Sequence, residues 1–406
     1  MKPLTRILLL VALAALPLLA MTGPAQGAKK MEVAIQNEGV FLYGAYYDQD
    51  RAYQQLRQLG ATHLRMNVFW HEAVVAGQRE QRTKPGNVQY DFSRWDGAVA
   101  KARSYGIKVQ FALTGDPPVF ACGRIRAVDK CNGFKPDRKL YADFVRAAVA
   151  HFRGRVSRFS MWNEPNWYTW ISPHRQAPRL YRRLYQAGYK AAKRANRNAE
   201  VVMGELAPHF QPGISNPPLK FIREMVCVNK RLKRIRGARR KCPGKLKLDA
   251  FATHPYDFEH RPTYKRPNKD ELTIANIGQL PKLLNKLRKK GLIKPSKKKF
   301  PIYLTEHGYM VADNPNVRQA RRRIPEGKRA RWIVQSWKIA QRTPRIKQNL
   351  HFGFISPPVT DPSGFFDMGL IKSDGTIRGS FTALQSWIRE AAADGKVKRP
   401  GPCSAC

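Results

Sequence analysis

Short apolar runs alternate along this chain with longer stretches in which apolar side chains return every three or four positions. The runs are GVFLYGAYY (39–47), THLRMNVFW (62–70), IKVQFALTG (107–115), VSRFSMWNE (156–164), EVVMGEL (200–206), LDAFATHPY (248–256), FPIYLTEHGY (300–309) and LHFGFIS (350–356). Their length and composition suit buried strands. Between them, DQDRAYQQLRQLG (48–60), RWDGAVAKARSYG (94–106), RKLYADFVRAAVAHFRG (138–154) and APRLYRRLYQAGYKAAKRAN (177–196) carry the period of amphipathic helices. Gly60, Gly106 and Gly154 stand where left-handed caps end a helix before the next strand. Eight β-then-α units with no repeat, linker or low-complexity break predict an α/β fold, a single (β/α)8 TIM barrel over residues 33–395. The alternative is an open doubly wound sheet, but no Gly-rich phosphate-binding turn follows the first run.

The N-terminus does not belong to that pattern. Lys2 and Arg6 precede the apolar run ILLLVALAALPLLA, and small residues follow in TGPAQGA. This is the layout of a secretory signal peptide over residues 1–28, with cleavage after Ala25 or Ala28. The run is shorter than the ~20 residues of a membrane span, and no second segment has that character. A secreted, extracellular protein without a transmembrane segment after signal cleavage is the expectation. The six cysteines fall in three close pairs, 122/131, 227/242 and 403/406, and an oxidising compartment favours disulfides within short loops. Zinc is the rival for CSAC in the tail at 396–406, although no second Cys or His pair lies near it.

Charge changes the picture next. The 74 Lys and Arg against 29 Asp and Glu give a formal net charge of +45. The excess is concentrated in 230–247, 286–299 and 318–331. Such clusters suit electrostatic association with acidic glycans or cell-wall polymers and, without sequence preference, nucleic acid. The plainer reading is a set of solvated faces.

In a barrel, the chemistry collects at the C-terminal ends of the strands. Arg65, Asn67, Trp70, Asp116, Asn163, Glu164, Glu205, His254, Tyr256, Glu306 and His307 are the polar or aromatic residues at those ends. With acids this scarce, two glutamates at strand ends stand out. Glu164 closes the fourth run in MWNEPNW and Glu306 the seventh in YLTEHG. A carboxylic acid and a carboxylate facing each other are what glycosidic-bond cleavage requires, without metal or organic cofactor.

WNEPN and YLTEHG resemble the acid/base and nucleophile motifs of clan A glycoside hydrolases, among which families 5 and 39, the cellulase- and xylosidase-like families, are nearest. LRMNVFW, ALTGDPP, HPY and MGLIKSDGT extend the similarity over most of the chain after the leader. The resemblance implies a secreted retaining β-glycosidase acting on a poly- or oligosaccharide. It casts Glu164 as general acid/base and Glu306 as nucleophile. Asn163 would bond the sugar 2-hydroxyl, and Arg65 would orient Glu306 and keep it ionised. His254 or Tyr256 would hydrogen-bond the carboxylates. The retaining mechanism implies a carboxyl separation of ~5–5.5 Å.

Sugar faces stack on indoles, so Trp70 and Trp167, with Trp162 and Trp170, are candidate substrate contacts. Trp95, Trp332, Trp337 and Trp387 fall in helical periods and are assigned to the core. Three positions depart from the resemblance. Phe354 stands where relatives often place a tryptophan floor. Glu205 replaces a small residue and could recognise a hydroxyl or an amine. The basic insert 228–247 is expected near the bowl, where it could steer an acidic glycan or merely coat the surface. Two other readings share these features: a non-catalytic basic glycan- or wall-binding barrel, and a transglycosylase with the same site.

Overall fold

The computed structural model describes residues 30–123, 131, 133–317 and 319–406. The expected leader, residues 1–28, and most of the loop between Cys122 and Cys131 lie outside them. Eight parallel strands close a barrel: β1 (Glu32–Gln36), β2 (His63–Phe69), β3 (Lys108–Thr114), β4 (Arg158–Met161), β5 (Glu200–Leu206), β6 (Ala250–Thr253), β7 (Ile302–Leu304) and β8 (Ile346–Phe352). Each pairs with its sequence neighbours, and β1 pairs with β8 to seal the ring. One helix follows each strand: α1 (Gln49–Leu59), α2 (Ser93–Ser104), α3 (Arg138–His151), α4 (Ala177–Ala195), α5 (Pro218–Met225), α6 (Gln279–Lys289), α7 (Glu326–Arg342) and α8 (Gly379–Ala393). The TIM barrel expected from the pattern is therefore present. No helix among the described residues is long and apolar enough to cross a membrane.

Local signals explain the helix ends. Asp48 caps α1 by accepting from Arg51 N at 2.7 Å, and Gly60 ends it at φ +89°. Asp137 caps α3 through Lys139 N and Leu140 N. The helices bury their apolar faces on the outside of the barrel, where Val33, Ile35, Leu64, Leu56 and Leu384 join one continuous core. The last residues also pack on the barrel: Lys398 N donates to Met31 O, and Ser404 N to Ser104 O at 2.8 Å. All three expected cysteine pairs are disulfide-bonded, Cys122–Cys131, Cys227–Cys242 and Cys403–Cys406.

The first strand is not where the apolar pattern put it. Residues 39–47 hold a short helix, Glu38–Phe41, and turns, while EVAIQ forms β1. The true strand is cryptic because Glu32 and Gln36 point into the barrel, breaking the hydrophobic signal. β8 likewise starts four residues earlier than the run LHFGFIS.

Glu32 belongs to a polar floor that fills the N-terminal end of the barrel. Arg158 donates to Glu32 Oε2 (2.7 Å), Glu200 Oε2 (2.7 Å) and Gln110 Oε1 (2.9 Å), and its guanidinium lies 3.9 Å from the Tyr303 ring centroid. Tyr303 Oη donates to Glu200, and Gln348 to Glu32. Six of the eight strands thus meet around one cation. Burial opposes a charge on Glu32, but Arg158 and His63 outweigh it and hold the carboxyl well below the usual range. A depressed carboxyl stabilises the fold above its unfolded pKa, and that contribution is lost as pH falls. Arg158→Met should therefore cost about 3–5 kcal/mol in urea unfolding at pH 7. The deficit should narrow below about pH 4, where Glu32 of the variant takes up a proton. A pH-independent deficit contradicts this.

Candidate active site

Backbone irregularities shape the strand ends at the C-terminal end of the barrel. After β4 the chain takes φ +79° at Trp162 and +36° at Glu164, conformations that cost energy for residues with a Cβ. On β5 the pairing with β6 slips between Gly204 and Leu206, leaving Glu205 bulged at φ +54°. Gly204 itself sits at φ +114°, where a Cβ would fall 2.3 Å from Ala252 O. The two strand ends are tied together: Glu164 N donates to Glu205 O at 2.9 Å. Asn166, fully buried, extends the tie by bonding Ala207 N, Ala207 O and Asn216 O.

At the centre lies Arg65 on β2, 1% exposed. All five of its N–H groups are used. Nε and Nη2 grip Glu205 at 3.3 and 2.6 Å, and Nη2 also reaches Asn163 Oδ1 at 2.7 Å. Nη1 donates to Gln36 Oε1 and, at 3.1 Å, to Glu306 Oε1. Because a guanidinium only donates, the Asn163 oxygen must face it. The Asn163 amide nitrogen is thereby left for the cavity, which this residue lines.

Glu306 follows β7 and takes a second bond from Tyr256 Oη at 3.2 Å. His254 Nδ1 lies 2.9 Å from Glu164 Oε1 and 3.5 Å from Glu306 Oε2, one N–H facing two carboxyl groups. One oxygen of each glutamate and a His254 ring nitrogen all fall within 4.8 Å of one another. This trio is also the one group of described residues whose donors could share a metal ion, but its polar atoms already bond one another, Arg65 and Tyr256.

Burial pushes the Glu306 carboxyl up to about 7; His254 and Arg65 pull it down, while Glu164 and Glu205 add to the rise. Arg65 thus favours the carboxylate in the expected direction, but its charge is shared with Glu205 and burial acts against it. Burial also works against a charge on His254, but Glu306 and Glu164 outweigh it and its pKa is raised. The Tyr256 phenol, raised by burial and by both glutamates, stays a donor.

The cavity above these groups measures about 1080 Å³. Glu164, Glu306, Asn163, Tyr256 and Trp167 line it, as expected, and Arg65 and His254 support it from behind. Trp70 does not line it. Its ring is fully buried, stacked on Phe144 at 5.7 Å, because a short helical turn, Trp70–Ala73, begins at that residue and swings it against α3. Phe354 is also displaced from the bowl into packing against Phe41 and Phe381. Glu205 does not line the cavity, since Arg65 occupies both of its oxygens. The sequence pattern did not reveal the aromatic wall that Phe258, Phe352 and Phe366 build around Tyr256, with Phe258 stacked on Tyr256 at 4.7 Å. It also missed Glu38, which accepts from Gln36 and Asn67 at the cavity edge.

Similar architecture occurs in solved structures. A family 39 glycoside hydrolase from the gut symbiont Bacteroides cellulosilyticus WH2 superposes with TM-score 0.62 and 16% identity, over 88% of this chain and 63% of that one. A family 39 β-xylosidase from Caulobacter crescentus gives 0.58 and 18%, over 91% and 72%. Xylanase 10B from Thermotoga maritima gives 0.52 and 14%, over 90% and 97%. The chain thus spans just under two thirds of the first of these. It shares the barrel fold of clan A glycoside hydrolases. No family model matches the chain, and no curated protein does.

The ion pair at the centre makes a prediction of its own. Glu205→Gln leaves a buried guanidinium under-neutralised and should cost about 3–5 kcal/mol in urea unfolding. Glu224→Gln, at a half-buried surface position paired only with Lys220, should stay within about 0.5 kcal/mol. A Glu205→Gln loss no larger than that of Glu224→Gln would show that Arg65 is neutralised by something else.

Proposed function

We propose that this protein is a secreted retaining glycoside hydrolase that cleaves β-glycosidic bonds of a poly- or oligosaccharide. The observation that carries the reading is the pair Glu164 and Glu306, at the ends of β4 and β7, with one oxygen of each within 4.8 Å of the other. That spacing suits a nucleophile and an acid/base, whereas inverting pairs stand ~6.5–9.5 Å apart to admit a water. Glu306 attacks the anomeric carbon as a carboxylate while Glu164 gives its proton to the departing oxygen. The C–O bond breaks and an ester to Glu306 forms. Glu164, now a carboxylate, takes a proton from water; the water oxygen attacks the anomeric carbon and frees Glu306.

The surrounding groups support these roles. Arg65 and Tyr256 each hold one oxygen of Glu306. His254 Nδ1 lies between the two carboxyls and fixes their relative position. The aromatic wall offers an apolar face to a sugar ring, and the Asn163 amide nitrogen offers a hydroxyl partner. The leader and the three disulfides favour an exported protein.

Glu306→Gln should abolish hydrolysis of activated aryl β-glycosides. Glu164→Ala should retain the first step for good leaving groups and release a glycosyl azide when azide is added. Normal turnover by Glu306→Gln sinks the assignment. The pH profile is a second test. Attack requires the carboxylate, so kcat/KM should fall on the acid side with an apparent pKa near 7. An acid limb at the ordinary glutamate value, about 4.3, would show that burial does not govern Glu306.

A further inference from the structure

The surplus charge of this chain is not spread evenly over the barrel. Residues 230–247 carry ten Lys and Arg and no acid, and 286–299 carry eight and no acid. Each segment ends before or just short of a barrel strand, β6 or β7, after the preceding helix has run back from the bowl. Both therefore lie at the N-terminal end of the barrel. They also lie side by side, since Leu246–Leu248 pairs with Ile293–Pro295. None of the residues 228–247 lines the bowl, contrary to the expectation that this insert stands beside it.

The insert is built rather than loosely appended. Cys227–Cys242 closes its ends. Arg182 of α4, 1% exposed, donates to the carbonyls of Met225, Pro243 and Gly244. Its cationic side chains are thus presented from a fixed backbone. From the insert a groove of about 920 Å³ runs between α3 and α4, lined by Arg146, Arg183, Lys190, Arg194 and Lys245, with Asp143 the one acid on its wall. Among the described residues, Arg183, Lys190, Arg194 and Lys245 have no ion-pair partner.

The bowl has the opposite character. Glu38, Glu72, Glu164 and Glu306 line it, and Arg322 is the one Lys or Arg among the described lining residues. Arg322 is itself engaged by Glu259 at 3.4 Å and lies over Phe258. Acids thus outnumber bases on the bowl's lining, although the third basic segment reaches its rim through Gln319 and Arg322, whereas the groove at the other end is lined almost wholly by cations.

We infer that the N-terminal face and the α3–α4 groove form a docking surface for a linear acidic polysaccharide that is not the substrate of the bowl. A flexible polymer with repeated anionic groups can follow a groove between two helices and neutralise successive side chains. A bilayer fits less well: Ile235 is the one exposed large apolar side chain of the insert, whereas Tyr43 and Phe365 are exposed at the bowl. Single-stranded nucleic acid fits less well too, since no fully exposed aromatic ring of the described residues lies in the insert or the groove.

The surface is tested by neutralising Arg183, Lys190, Arg194 and Lys245 together to Gln. All four are exposed and lie outside the catalytic machinery, so folding, checked by the thermal midpoint, should be unchanged. Binding of polygalacturonate to wild type and variant is measured by titration calorimetry between 0.05 and about 0.3 M salt, a range over which counterion release is large. The variant should bind at least ~10-fold more weakly at 0.15 M salt, with a log K against log salt slope shallower by about 2–3. Equal affinity and slope in the two proteins overturns the inference. So does tighter wild-type binding, at the same salt, to phosphatidylglycerol vesicles or duplex DNA than to polygalacturonate. Binding is read without turnover, so the outcome does not depend on the catalytic proposal.

Discussion

A buried guanidinium, Arg65, sets the terms at the catalytic end of the barrel. A cation removed from water costs several kcal/mol unless its charge is compensated and its donors are filled. Here every N–H is filled, and the partners come from four other strands: Gln36 at the end of β1, Asn163 after β4, Glu205 on β5 and Glu306 after β7, around Arg65 on β2. The bulge at Glu205 delivers the compensating carboxylate. The same residue's carbonyl fixes the Glu164 amide, so one distortion of β5 serves both reactive glutamates.

Charge is partitioned along the barrel axis. At one end Arg158 is wrapped by Glu32 and Glu200 in a structural floor; at the other Arg65 is wrapped by Glu205 and Glu306 in a reactive one. Both exploit the inward-pointing polar residues of strands that are otherwise apolar. Outside, the basic segments 230–247 and 286–299 lie away from the bowl, while the third reaches its rim through Gln319 and Arg322.

Much of this was legible in the residues themselves. Seven of the eight strands coincide with apolar runs, and Glu164, Glu306, Asn163, His254 and Tyr256 meet as their strand-end positions implied. β1 was hidden because Glu32 and Gln36, its inward residues, serve the two polar layers. The place of Glu205 depends on a bulge, and a shift of register leaves no mark in composition. Trp70 was misplaced because it lies just past a strand end, where alternation stops and a turn decides which way a ring points. The aromatic wall draws Phe258 and Phe366 from loops that periodicity does not reach.

The division of labour between the two glutamates is tested most directly by trapping the intermediate. A 2-deoxy-2-fluoro β-glycoside with a good leaving group slows release of any glycosyl-enzyme ester, and peptide mapping by mass spectrometry then locates the sugar. A single adduct on Glu306, absent in Glu306→Gln, is the expected result. An adduct on Glu164 or Glu205, or turnover of the parent glycoside with inverted configuration and no adduct, would contradict the assignment of Glu306 as nucleophile.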